Sequence, residues 1–149
     1  MDLILWRHAD AEDGVPDLER ELTAKGAKQA KKVAAWLATR LPKSARVMAS
    51  PAKRAQQTAR ALAGKFETVA ALGTGTDAKS VLAAVGWPAD DDVTVVAVGH
   101  QPALGQAAAL ALTGKPAEWS LKKGALVWLA WRGRDGRAQL RAAISPDLL

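Results

Sequence analysis

Val93-Thr94-Val95-Val96-Ala97-Val98-Gly99-His100-Gln101-Pro102 passes without a break from a β-branched strand into the start of a helix. A valine run with no polar alternation describes a strand buried on both faces, as in a parallel sheet covered by helices. The same grammar recurs earlier in the chain. Residues 2–7 form a short hydrophobic strand ending at Arg7-His8, and Arg46-Val47-Met48-Ala49 leads into Ser50-Pro51-Ala52-Lys53-Arg54. Ser50 suits an N-cap and Pro51 a first helical position, which predicts a helix from there to about Ala63, closed by Gly64.

The remaining segments fit this frame. Thr23 is an expected N-cap for a helix carrying Ala27, Ala30, Ala34, Leu37 and Leu41 on one face, stopped by Pro42. Thr68 to Leu72 reads as a strand and Ala78 to Val85 as a helix closed by Gly86. A helix over 102–112 follows the valine strand directly. Leu126 to Trp131 and Ala138 to Ile144 flank Gly133-Arg134-Asp135-Gly136 and read as a hairpin. Strands alternating with helices predict an α/β fold: a three-layer α/β/α sandwich with a mostly parallel central sheet and a C-terminal antiparallel hairpin. The 149 residues are expected to form one domain, 1–149.

Composition narrows the function. The chain has no cysteine, which excludes disulfides, thiolate zinc sites and a thiol nucleophile. Only two histidines are present, and no carboxylates adjoin them, so neither a metal nor another cofactor is expected. No apolar run approaches the ~20 residues of a membrane helix. The acidic start and four-residue apolar run of the N-terminus do not make a signal peptide, so the expected location is cytoplasmic. The formal charge of +6 raises the question of nucleic acid, but one Phe and no Tyr provide no stacking platform. Lys25, Lys28, Lys31 and Lys32 fall on the outer side of the first helix and read as a solvated basic surface. An acidic protein partner stays open, and the oligomeric state is not legible.

In open α/β sheets, ligands bind beyond the carboxyl ends of the strands. Both histidines, His8 and His100, belong to that edge, together with Arg7 and Arg54. Singly, each has a structural explanation; together they mark a site.

The motifs Leu5-Trp6-Arg7-His8-Ala9, Leu22-Thr23-Ala24-Lys25-Gly26, Ser50-Pro51-Ala52-Lys53-Arg54-Ala55-Gln56-Gln57-Thr58-Ala59 and Val98-Gly99-His100-Gln101-Pro102 resemble, in order, those of the histidine phosphatase superfamily. Within it the chain is most similar to the short SixA-type phosphohistidine phosphatases, members of the phosphoglycerate mutase-like group. The resemblance implies a metal-independent phosphatase in which His8 accepts a phosphoryl group and Arg7, Arg54 and His100 bind phosphate. It departs from the family at Ala9, where the superfamily motif has glycine, and at the general acid. Larger members carry a glutamate after the second motif, whereas Glu67 is the one glutamate between Ala55 and Ala117 here, and Gly73 lies nearest the expected position. Asp77, Asp10 and Glu12 are the candidate proton donors.

Lack of an acid favours phosphohistidine, whose imidazole leaves more readily than an alkoxide. The expected substrate is a phosphorylated signalling protein, such as a phosphorelay histidine domain. Alternatives are a phosphatase of a small phosphorylated metabolite and, from another class, a catalytically silent phosphate-binding or protein-docking module.

Overall fold

The computed structural model describes residues 1–149. Six strands form one sheet: β1 (Asp2–Arg7), β2 (Arg46–Ala49), β3 (Glu67–Thr68), β4 (Thr94–Gly99), β5 (Leu126–Trp131) and β6 (Ala138–Ile144). Four helices accompany them: α1 (Ala24–Ala38), α2 (Lys53–Leu62), α3 (Ala78–Ala84) and α4 (Ala103–Thr113). The strand order is β3-β2-β4-β1-β5-β6. The first four are mutually parallel, β5 adds antiparallel to β1, and β6 adds antiparallel to β5. This is the expected α/β sandwich with its terminal hairpin. No helix is long and apolar enough to cross a membrane.

The alternation along the central strands divides the core in two. Leu3, Leu5, Val95, Ala97, Val127 and Leu129 face one side, where Val81, Leu82, Leu104 and Ala108 of α3 and α4 cover them. Ile4, Trp6, Val96, Val98, Leu126 and Trp128 face the other, against Val33, Leu37, Ala55 and Ala59 of α1 and α2. Each central strand is thus apolar on both faces, which is why β4 reads as an unbroken valine run. At its base, β1 is tied by Asp2, whose carboxylate accepts from Trp128 Nε1 at 2.8 Å and Arg141 Nη1 at 2.8 Å.

Two local expectations need correction. Thr68 to Leu72 is not one strand: β3 stops at Thr68, and Ala70–Leu72 is a 3₁₀ turn. Ser50-Pro51 does not open the second helix either. It begins at Lys53, and its N-cap is Ala52, with no side-chain hydrogen bond. Residues 51 and 52 form a bend ahead of the helix, where the Ser50 hydroxyl accepts from Ala52 N at 3.1 Å.

The Leu22-Thr23-Ala24-Lys25-Gly26 motif has a mechanical role. Thr23 caps α1 as expected, accepting from Gly26 N at 2.9 Å. It also donates its hydroxyl to Asp10 Oδ2 at 2.7 Å and its N–H to Asp10 O at 3.0 Å. Gly26 lies so close to the Asp10 carbonyl that a Cβ would fall on it. The start of α1 is therefore a wall against which the loop after His8 is pressed. Gly26→Ala should destabilise the fold by about 1–3 kcal/mol through overpacking, despite the higher helix propensity of alanine. Denaturant unfolding checks this; unchanged or increased stability would mean that the contact is not tight.

Candidate active site

Strands β2, β4 and β1 are neighbours and parallel, so their C-terminal ends meet on one edge. In register, Arg7 lies opposite Gly99, and Ala49 opposite Val98. The next residues are His8, His100 and Ser50. His8 N donates to Gly99 O at 3.0 Å, and Gly124 N to His8 O at 3.0 Å, which fixes the His8 backbone between two elements. One turn beyond Arg54 on α2, Thr58 Oγ1 accepts from Ala9 N at 3.1 Å and donates to Arg54 O at 2.8 Å. The helix bearing Arg54 is thereby fastened to the loop bearing His8.

The four residues named from the sequence come together. The His8 and His100 rings are 5.2 Å apart, centroid to centroid, and both are buried. Arg54 is buried too, and its Nε donates to His8 Nε2 at 3.4 Å. His8 Nδ1 lies 2.7 Å from Ala9 O. A carbonyl oxygen only accepts, so that contact places the ring proton on Nδ1 and leaves a lone pair on Nε2, facing Arg54. Arg7 donates from Nη1 to Leu121 O at 2.7 Å.

Two buried side-chain nitrogens of the chain have no hydrogen-bond partner in the protein, and both belong to this cluster: Arg7 Nε and His100 Nδ1. Such an orphan costs roughly 1–3 kcal/mol. Around His8, then, stand donors that the protein itself does not satisfy.

Ser50 explains the state of His100. Its Oγ lies 2.7 Å from His100 Nε2 and accepts from Ala52 N at 3.1 Å. With the Ala52 N–H already donating to it, the hydroxyl is free to direct its own proton to Nε2. In that arrangement the His100 proton sits on Nδ1, the orphan nitrogen, which becomes a donor; the reverse tautomer, with Nε2–H donating to Ser50 Oγ, would use the second lone pair of the hydroxyl. Burial, and next the neighbouring His8 and Arg54, lower the His100 pKa to about 3. His100 is thus neutral at pH 7 and offers a hydrogen bond rather than positive charge. Burial chiefly, with Arg54 and Arg7 adding to it, lowers His8 to about 4.

None of the three candidate acids is hydrogen-bonded to His8, Arg54 or His100. Asp77 caps α3, accepting from Ser80 N at 2.8 Å, and is exposed. Asp10 is tied to Thr23 and, at 2.7 Å, to Lys123 Nζ. Glu12 is exposed on the outer loop. The carboxylate that does reach the cluster was missed from the sequence. Asp17 Oδ2 accepts from Arg54 Nη2 at 3.1 Å, and Asp17 O from Arg54 Nη1 at 2.8 Å. Nothing in the polar stretch Asp10 to Glu21 distinguishes Asp17 from its acidic neighbours, because its role arises only when the loop folds back over α2.

The lysine reading also changes. Lys25, Lys28 and Lys32 do lie opposite the core face of α1, but they line a cleft of about 860 Å³ together with Arg7, Lys122 and Lys123. Asp10 and Asp147 are the two carboxylates in its walls, against six cations. Much of the net charge of the chain is thus gathered in a groove that begins at Arg7.

The buried neutral histidines set the acid stability. Their folded pKa values lie below the unfolded 6.5, so the unfolded chain binds more protons between about pH 6.5 and 4. Stability should be full above pH 6.5 and fall through that window, by up to about 1.4 kcal/mol per pH unit for each histidine. Denaturant unfolding at pH 7, 6 and 5 reads this, and His8→Gln or His100→Gln should each flatten the slope. A wild-type stability independent of pH over that range would contradict burial in the neutral form.

Comparison with known proteins agrees with this geometry. Residues 3–73 match the histidine phosphatase superfamily, branch 1. A Picosynechococcus protein of uncharacterised function is 34% identical over an alignment of 163 residues, covering 99% of this chain and 93% of the relative. The structure of the protein histidine phosphatase SixA complexed with tungstate superposes with a TM-score of 0.83 at 25% identity, covering 99% of both chains. A candidate phosphohistidine phosphatase SixA from Nakamurella multipartitia gives 0.79 at 27% identity, covering 97% of this chain and 95% of its own. Phosphatases of small metabolites share the fold at about 20% identity. Joined to the strand-end cluster of histidines and arginines, these matches show that the chain belongs to the histidine phosphatase superfamily and is a phosphatase of SixA type.

Proposed function

We propose that the enzyme removes phosphate from phosphohistidine in a protein by way of a phosphoryl group carried on His8. The observation that carries this reading is the set of donors around His8 Nε2. His8 Nε2 is the unprotonated ring nitrogen and accepts from Arg54 Nε, the His100 ring lies 5.2 Å from that of His8, and Arg7 Nε and His100 Nδ1 are buried without a protein partner. A phosphoryl group in transfer spreads its charge over three equatorial oxygens, and such donors stabilise it by position rather than by covalent chemistry. The two guanidinium groups supply the positive charge, and neutral His100 supplies an N–H. Attack by His8 Nε2 breaks the bond from phosphorus to the leaving group and forms the Nε2–phosphorus bond. Attack of water on phospho-His8 then releases phosphate and restores the imidazole.

The leaving group follows from the acids. Asp17 is the carboxylate at the cluster, and hydrogen bonds from Arg20 and then Arg54 hold it below the usual carboxylate range, so it is ionised and a poor proton donor. An imidazole protonated on its distal nitrogen departs neutral, whereas an alkoxide needs a proton from the enzyme. The basic cleft beside Arg7 supports a protein substrate, because an acidic surface around the phosphorylated residue would lie along its lysines.

A phosphohistidine protein should therefore be hydrolysed with higher kcat/KM than a sugar phosphate or phosphoserine peptide, with aryl phosphates between them. Replacing Lys25 and Lys28 together by alanine should raise KM for the phosphoprotein about 10-fold, with an aryl phosphate changed less than about twofold. Steady-state kinetics on the panel, run with and without chelator, reads both. A sugar phosphate outperforming phosphohistidine would transfer the assignment to small-metabolite phosphatases.

A further inference from the structure

Arg54 carries five N–H donors in a planar fork, and their assignment in this structure is uneven. Both terminal nitrogens point at one residue: Nη1 to the Asp17 carbonyl at 2.8 Å and Nη2 to the Asp17 carboxylate at 3.1 Å. The Nε edge is turned the other way, toward His8 Nε2. Asp17 is braced in turn by Arg20, which donates from Nη1 to Asp17 Oδ1 at 3.0 Å and from Nε to Glu12 O. The side chain of Arg54 is 5% exposed and that of Asp17 54%.

From this arrangement we propose that Asp17 is a positioning residue, which holds the terminal edge of Arg54 so that its Nε edge faces the phosphoryl group on His8. This rests on the reading of His8 as the phosphoryl acceptor. An arginine with four rotatable side-chain bonds would otherwise sample several orientations, and its fork would have to be ordered each time phosphate binds. Held by a carboxylate and a carbonyl outside the reaction zone, it is ordered beforehand. One side chain of the 3₁₀ turn at Asp17–Glu19 thus sets the orientation of the clamp on α2.

Two other roles would use the same contact differently. As a general acid, Asp17 would give its proton to the leaving group. As a competitor for Arg54, its carboxylate would leave when phosphate arrived. The Arg20 and Arg54 contacts, which hold it ionised, oppose the first. The second is opposed by the division of Arg54 into two edges, because phosphate on the Nε edge does not require Asp17 to release the other.

The test compares wild type with Asp17→Ala and Asp17→Asn, the latter keeping an oxygen acceptor of the same size. Inorganic phosphate and tungstate are titrated calorimetrically, and turnover is followed on aryl phosphates of graded leaving-group pKa. Circular dichroism verifies that the variants fold, which the exposure of Asp17 makes a mild demand. Asp17→Ala should weaken anion binding about 10-fold and lower kcat/KM by about 10- to 100-fold, by the same factor for every leaving group. Asp17→Asn should recover part of both. A loss growing with leaving-group pKa would identify an acid and overturn the proposal. Tighter anion binding in Asp17→Ala would identify a competitor, and unchanged binding and turnover would leave Asp17 with no part in the clamp; either result overturns it. These probes need no phosphohistidine, so a failure here is separate from a failure of the substrate assignment.

Discussion

The parallel register of β1 on β4, with Arg7 opposite Gly99, is the constraint on which the site depends. It brings His8 and His100 out of the sheet at the same height, one strand apart, and the pairing of β2 with β4 adds Ser50 at the next position. The hydrogen bond from His8 N to Gly99 O extends that pairing one residue past the strand. A shift of one residue would send Trp6 and Val98 to the opposite face and break both cores. The apolar packing of the sheet therefore also fixes the distance between the two histidines.

Around this pair the molecule keeps polar groups in states that a solvent-exposed site would not allow. Burial leaves both imidazoles neutral; the Ala9 carbonyl selects the tautomer of His8, and the Ser50 hydroxyl holds His100 by its Nε2. Arg7 Nε and His100 Nδ1 have no partner in the protein, which costs stability. The Thr58 link between Arg54 O and Ala9 N and the Thr23 link to Asp10 keep α2, α1 and the His8 loop in one rigid frame. Such a frame suits phosphoryl transfer, where placement of charge contributes most of the catalysis.

How far the sequence reveals this differs from element to element. The valine run of β4 and the apolar β1 are legible because burial on both faces leaves no polar alternation, and they carry the edge where Arg7, His8 and His100 lie. Arg54 follows from the helix after β2. Ser50 misleads, since Ser-Pro is a local helix-start signal, while the hydroxyl of Ser50 bonds Ala52 N ahead of the helix and also reaches His100, 50 residues away. Asp17 is invisible for the same reason: a loop residue 37 positions from Arg54 acquires meaning only through the fold. The lysines of α1 are correctly opposed to the core, but helical periodicity says nothing of Lys122 and Lys123, which rise on the same side and make a cleft. Periodicity reports which way a residue faces, and only tertiary structure reports what it faces.

The central claim is that His8 Nε2 receives the phosphoryl group. Rapid quenching during turnover of a phosphohistidine protein or an aryl phosphate, followed by phosphorus NMR and peptide mapping, tests it most directly. The account predicts an acid-labile, base-stable phosphoramidate on His8, attached at Nε2 and absent from His8→Ala, which should also lack turnover. Phosphate attached to any other residue, or turnover persisting in His8→Ala, would contradict it.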